Sequence, residues 1–175
     1  MVTFAMNSPL RLGGTLLSLW LVLLVGLRAE MVMDDAGRFA IDMDAPHTSS
    51  QAEGKENFVI HMLMHEEGTT AAYMVSYNDL PPGSGKLLNV PDLMQSAMKD
   101  FLSSTAAKML TSGEYQLGDI KGWEFTFAEN KGAFSGRARF YLVGDRFYQV
   151  VYMGPTNTEG GEKSLHFLDS FRLLR

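Results

Sequence analysis

A chain of 175 residues, 46% hydrophobic and 20% charged, is long enough for one domain with a sizeable core and too ordinary in make-up for a disordered or fibrous protein. Its net charge of −5, with no cluster of Lys and Arg, argues against general nucleic-acid binding, which depends on neutralising phosphates. The absence of cysteine removes disulfides, thiolate metal sites, cysteine nucleophiles and a lipid-anchor signal.

Residues 1–29 stand apart. Their only charges are Arg11 and Arg28, and residues 15–27 form an uncharged run of thirteen ending near short side chains. That order reads as a secretory signal with Ala29 the last residue removed. The run is short for a membrane span of roughly 20 residues, so an uncleaved anchor is the alternative. Without it, 13 Lys and Arg face 20 Asp and Glu, a charge of about −7. The expected order is therefore a signal or anchor at 1–29, a linker at 30–36 and a single domain at 37–175.

Within the domain, Phe39, Ile41 and Met43 alternate with polar neighbours and predict a first strand. Residues 45–56 are polar, contain Pro46 and Gly54, and read as a loop. Residues 57–65 form a second strand, with Phe58, Ile60, Met62 and Met64 on one face and Val59, His61, Leu63 and His65 on the other. The turn Glu66-Glu67-Gly68 returns the chain into a third strand over 69–77. Residues 80–86 are a loop, and Asn89 and Pro91 open the clearest helix. Its apolar stripe includes Leu93, Met94, Met98, Phe101, Leu102 and Met109, which extends it to about Leu110 with Gly113 as the stop.

Three strand-like runs follow. Trp123, Phe125 and Phe127 alternate with Glu124 and Thr126, residues 134–143 supply a partner, and Gly144-Asp145 turns into residues 147–153. This last run is apolar on both faces, broken only by Gln149, so it needs cover on both sides. A short helix at 162–169 and a last segment at 171–174 close the chain. The whole reads as six or so largely antiparallel strands with helices packed on them, an α+β domain.

The words Gly122-Trp123-Glu124-Phe125, Tyr141-Leu142-Val143-Gly144, Arg146-Phe147-Tyr148-Gln149 and Phe167-Leu168-Asp169-Ser170-Phe171 resemble the PsbP-like superfamily, named after an extrinsic subunit of photosystem II. The resemblance covers roughly residues 37–174 and is greatest to exported bacterial proteins of unknown function in that fold group. It implies an α/β/α sandwich around an antiparallel sheet and a non-catalytic role in binding or stabilising a complex. No functional residue of the superfamily transfers onto this chain.

Candidate chemistry is sparse. His61 and His65, with Met62 and Met64 between, could suit copper, but on a strand they stand roughly 13 Å apart. Gly83-Ser84-Gly85-Lys86 lacks two positions of a phosphate-binding loop, where Leu80 and Leu87 stand, and reads as a flexible turn. Gly132-Ala133-Phe134-Ser135-Gly136 misplaces the serine of a nucleophile elbow. Asp34-Asp35 and Glu66-Glu67 read as solvated pairs. Glu124, Arg137 and Arg139 lie on neighbouring strands, where pairing can set them on one face as an ion pair or as a partner-binding site.

The expected function is that of an exported, non-enzymatic domain that binds a protein in the cell envelope, without cofactor and without nucleic acid. It would touch membrane only through an uncleaved N-terminus. The alternative is a carrier of a small ligand or metal in a pocket between sheet and helix. A hydrolase assembled from distant residues beside His47, His61, His65 or His166 is the third reading.

Overall fold

The computed structural model describes residues 30–54 and 58–174, so the expectations for residues 1–29 lie outside the described residues. The elements are β1 (Glu30–Asp34), β2 (Phe39–Met43), β3 (Thr48–Glu53), β4 (Val59–Glu67), β5 (Ala71–Asp79), α1 (Val90–Ser104), β6 (Ala107–Leu117), β7 (Ile120–Glu129), β8 (Ser135–Val143), β9 (Arg146–Gly154), α2 (Glu162–Ser170) and β10 (Arg172–Leu173). Seven strands form one antiparallel sheet in the order β3-β4-β5-β9-β8-β7-β6, and β1-β2-β10 form a second.

The larger sheet is mainly a set of hairpins, because tight turns favour antiparallel neighbours. The strand period of two sends alternate residues of β9 to opposite faces. Tyr148, Val150 and Tyr152 enter a core shared with Phe39 and Ile41 of β2 and Phe167 and Leu168 of α2. Phe147 and Val151 enter the other core, with Met94 and Met98 of α1 and with Phe125, Phe127 and Phe140. Each such buried side chain contributes on the order of 1.5–3 kcal/mol, which is why a central strand apolar on both faces requires two covers. The expected sandwich holds in part. Helix α1 covers the β6–β9 half of one face, whereas α2 shares the opposite layer with the small sheet.

Three expectations are corrected. The segment read as a linker at 30–36 contains β1, which pairs with β2 from Glu30↔Met43 to Asp34↔Phe39. Its hydrophobic signal is weak because Val32 alone packs on the core while Met33 is 67% exposed. The segment read as a loop at 45–56 contains β3, an edge strand exposed along its whole length, so no apolar alternation marks it. Helix α1 ends at Ser104 rather than near Leu110. The Thr105 hydroxyl donates to the Phe101 carbonyl at 2.9 Å, and Ala106 turns left-handed at φ 51°. Met109 continued the helical spacing by coincidence, since it lies opposite Phe127 on β6. Asn89 holds the N-cap position of α1 without making the side-chain capping bond.

Candidate functional site

The sheet brings Glu124, Arg137 and Arg139 onto one face, as their alternation with Phe125, Ala138 and Phe140 requires. Glu124 stands directly opposite Arg139 and next to the pair Thr126↔Arg137. The Arg137 Nη1 donates to Glu124 Oε1, and the Arg139 Nε donates to Glu124 Oε2 at 2.7 Å. Two further members join from distant sequence. Asp169 of α2 accepts from Arg139 Nη1 at 2.7 Å, and the Tyr115 ring of β6 lies 3.9 Å from the Arg139 guanidinium carbon. The Arg139 side chain is only 4% exposed. Burial works against its charge, but the hydrogen bonds to Glu124 and Asp169 outweigh that cost and hold it above the ordinary arginine range.

Two cations and two anions thus neutralise one another, and each charge of the set is committed to a neighbour. Arg137 is further tied through Nε to the Glu159 carbonyl at 3.0 Å. The chemistry available is that of a clamp joining β6, β7, β8 and α2. Beneath it the Tyr141 hydroxyl is buried without a hydrogen-bond partner among the described residues, and burial pushes that phenol well above its ordinary range. Sequence pattern could find the three strand residues. Asp169 and Tyr115 could not be found, because α2 and the edge strand meet them only through tertiary packing.

His61 and His65 share a face of β4 but have separate environments. The His61 ring stacks on Tyr77 at 4.6 Å, and its Nδ1 accepts from the Gln51 amide at 3.2 Å. His65 is 6% exposed, and its Nδ1–H donates to the Pro46 carbonyl at 2.8 Å. His65 also borders a cavity of about 190 Å³ between β2, β5 and α2, whose other walls include Asp42, Asp44, Lys163 and His166. There His166 Nε2 lies 3.2 Å from Asp42, and Lys163 pairs with Glu67 at 2.7 Å. Among the described residues no three His, Asp or Glu side chains converge to hold a metal.

The Gly83-Ser84-Gly85-Lys86 turn is pinned rather than flexible. The backbone N–H groups of Gly83 and Gly85 donate to the two Asp145 oxygens at 2.7 and 2.8 Å, and these bonds hold that carboxyl below its usual range. The loop does present N–H groups to an anion, but the anion is the chain's own.

A larger cleft, of about 540 Å³, opens between α1 and strands β4, β5 and β9. Its apolar walls include Phe58, Ile60, Leu93, Phe101 and Phe147, and Asn78 and Gln149 also face it. It exists because α1 packs towards the β6–β9 half of the sheet. On β4, Ile60, Met62 and Met64 therefore remain half-buried and belong to neither core. The volume lies within the range of roughly 300–1,000 Å³ typical of small-molecule sites.

Neither a protein-family model nor a curated protein sequence matches the chain. Among solved structures, the solution structure of cyanobacterial PsbP from Synechocystis superposes with a TM-score of 0.61 at 10% identity, covering 84% of this chain and 93% of that one. A crystal structure from Bacteroides thetaiotaomicron gives 0.46 at 9% identity, covering 84% of this chain and 49% of that one. The fold is PsbP-like. Among the described residues no helix is long and apolar enough to cross a membrane.

Proposed function

With a PsbP-like fold as the premise, we propose that this chain is an exported, non-enzymatic accessory domain that engages an apolar segment of another protein in the cell envelope. The observation that carries the reading is the half-buried strip Ile60, Met62 and Met64 on the α1 side of β4, which joins neither core and runs beside the open cleft. Methionine side chains are flexible and polarizable, which suits them to partner surfaces of varied shape. The ion cluster around Arg139 supports the same reading indirectly, since its charges are spent on joining elements rather than held ready for acid–base work. Export rests on the charge and hydrophobic pattern of residues 1–29.

The test is affinity capture from envelope extract with the native chain and with Met62→Lys. A partner enriched by the native chain and lost with the variant is expected. Equal enrichment by both would remove the strip from the account. A second reading, a carrier of a small ligand, is favoured by the cleft itself, which lies between sheet and helix and is of ligand size.

A further inference from the structure

The central strand β9 carries one polar side chain on its α1-facing side, and it is Gln149. Its neighbours along that face are Phe147 and Val151, and across the sheet it lies opposite Phe140 on one side and Ser76 on the other. Asn78 stands two residues beyond Ser76 on the same face, a diagonal neighbour of Gln149. Both amides are half-buried and line the cleft under α1. Neither side chain makes a hydrogen bond to any described residue.

Packing gives no reason for this choice. An aliphatic side chain at either position would continue the apolar floor, whereas these amides keep polar atoms open to the cleft, where water or a ligand can pair them. Each primary amide offers two donors and one carbonyl acceptor side by side. Two of them on adjacent strands complement a group that also presents a donor and an acceptor together, as a carboxamide or lactam edge does. Charge narrows the choice further. The cleft has no Lys or Arg among its described lining residues, and the one ionisable group among them is Asp100, so those residues offer an anion no counter-charge. The aromatic rings of Phe58, Phe101 and Phe147 supply apolar faces for a ring or chain attached to that edge.

We infer that the cleft between α1 and the β4–β5–β9 floor binds neutral, ring-bearing carboxamides or lactams, with Gln149 and Asn78 reading the amide edge. This rests on the small-ligand reading of the cleft and names its ligand class. Gln149 and Asn78 are recognition residues, and the walls supply affinity without selectivity.

The experiment titrates the full chain, labelled with ¹⁵N, with benzamide, toluene and benzoate and follows backbone amide shifts. Benzamide should shift signals near Gln149, Asn78 and Phe101 and bind at least threefold more tightly than toluene, with benzoate the weakest. Gln149→Leu keeps the floor apolar, and so should preserve the fold while lowering benzamide affinity about three- to tenfold and raising that of toluene. Equal binding of benzamide and toluene would overturn the amide assignment but leave a ligand cleft. Benzamide affinity unchanged in Gln149→Leu would also overturn it. No shift at the cleft with any of the three would remove the carrier reading as well.

Discussion

Arg139 and Arg137 differ by one step of the strand period and by almost everything in environment. Both reach Glu124, yet the Arg139 side chain is 4% exposed and the Arg137 side chain 22%. Replacing Arg139 by Met would leave Asp169 without its cation and Glu124 with one partner instead of two, and would remove the ring contact with Tyr115. Breaking a buried network from one side typically costs about 3–5 kcal/mol. Asp169 is 59% exposed and can return to water, so the expected loss for Arg139→Met is nearer about 3 kcal/mol. Arg137→Gln should cost less than about 1 kcal/mol, as for a pair in contact with solvent. Urea denaturation of both variants checks the contrast. Similar losses would show that exposure does not govern this cluster.

At the scale of elements, legibility followed how strongly each segment alternates. The hairpin β4–β5 and strands β7 and β9 carry large apolar residues at every second position, so burial and period agree, and their positions could be read directly. Glu124, Arg137 and Arg139 were legible for the same reason, because their faces follow from the aromatics beside them. Strand β3 carries Thr48, Ser49, Ser50 and Gln51 and buries none of them, so its strand identity comes from backbone pairing with β4 alone. Gln149 was visible as a polar break, but its meaning depends on where α1 stops covering the sheet.

The end of α1 makes this concrete. Thr105 and Met109 extend the stripe, while the chain in fact reverses at Ala106, whose left-handed φ of 51° costs an L-residue about 1–2 kcal/mol. Ala106 is exposed, so nothing is lost by removing its methyl group. Ala106→Gly should relieve the strain, and after the added flexibility of the unfolded chain a gain of about 0.5–1 kcal/mol remains. Thermal unfolding should show a Tm higher by a few degrees. A lower Tm would mean that the αL position does not limit stability.

For the whole molecule, the ends of the described chain meet in the small sheet. Strand β2 lies between β1 and β10, with Arg172 opposite Ala40 and Leu173 opposite Phe39, and the Leu174 N–H donates to the Arg38 carbonyl at 2.9 Å. Phe171 precedes β10 and is 1% exposed, stacked on Tyr141 and edge-on to Tyr148 of the large sheet. The first residues of the domain therefore close a layer of the core instead of tethering it. Removing residues 30–36 would strip β2 of one ladder, uncover the site of Val32 and delete the Ala36 carbonyl that accepts from Arg146. One partly buried Val and a short ladder that water can replace together suggest a loss of about 2 kcal/mol. Phe171→Ala should cost more, about 3–5 kcal/mol, because it opens a cavity between both sheets. Chains beginning at Glu30 and at Gly37 should then both fold, with the shorter melting several degrees lower, and Phe171→Ala lower still. Equal melting of the two chains would restore residues 30–36 to a linker. A difference combined with native-like benzamide shifts in both would separate the closing role of the small sheet from binding on the opposite face.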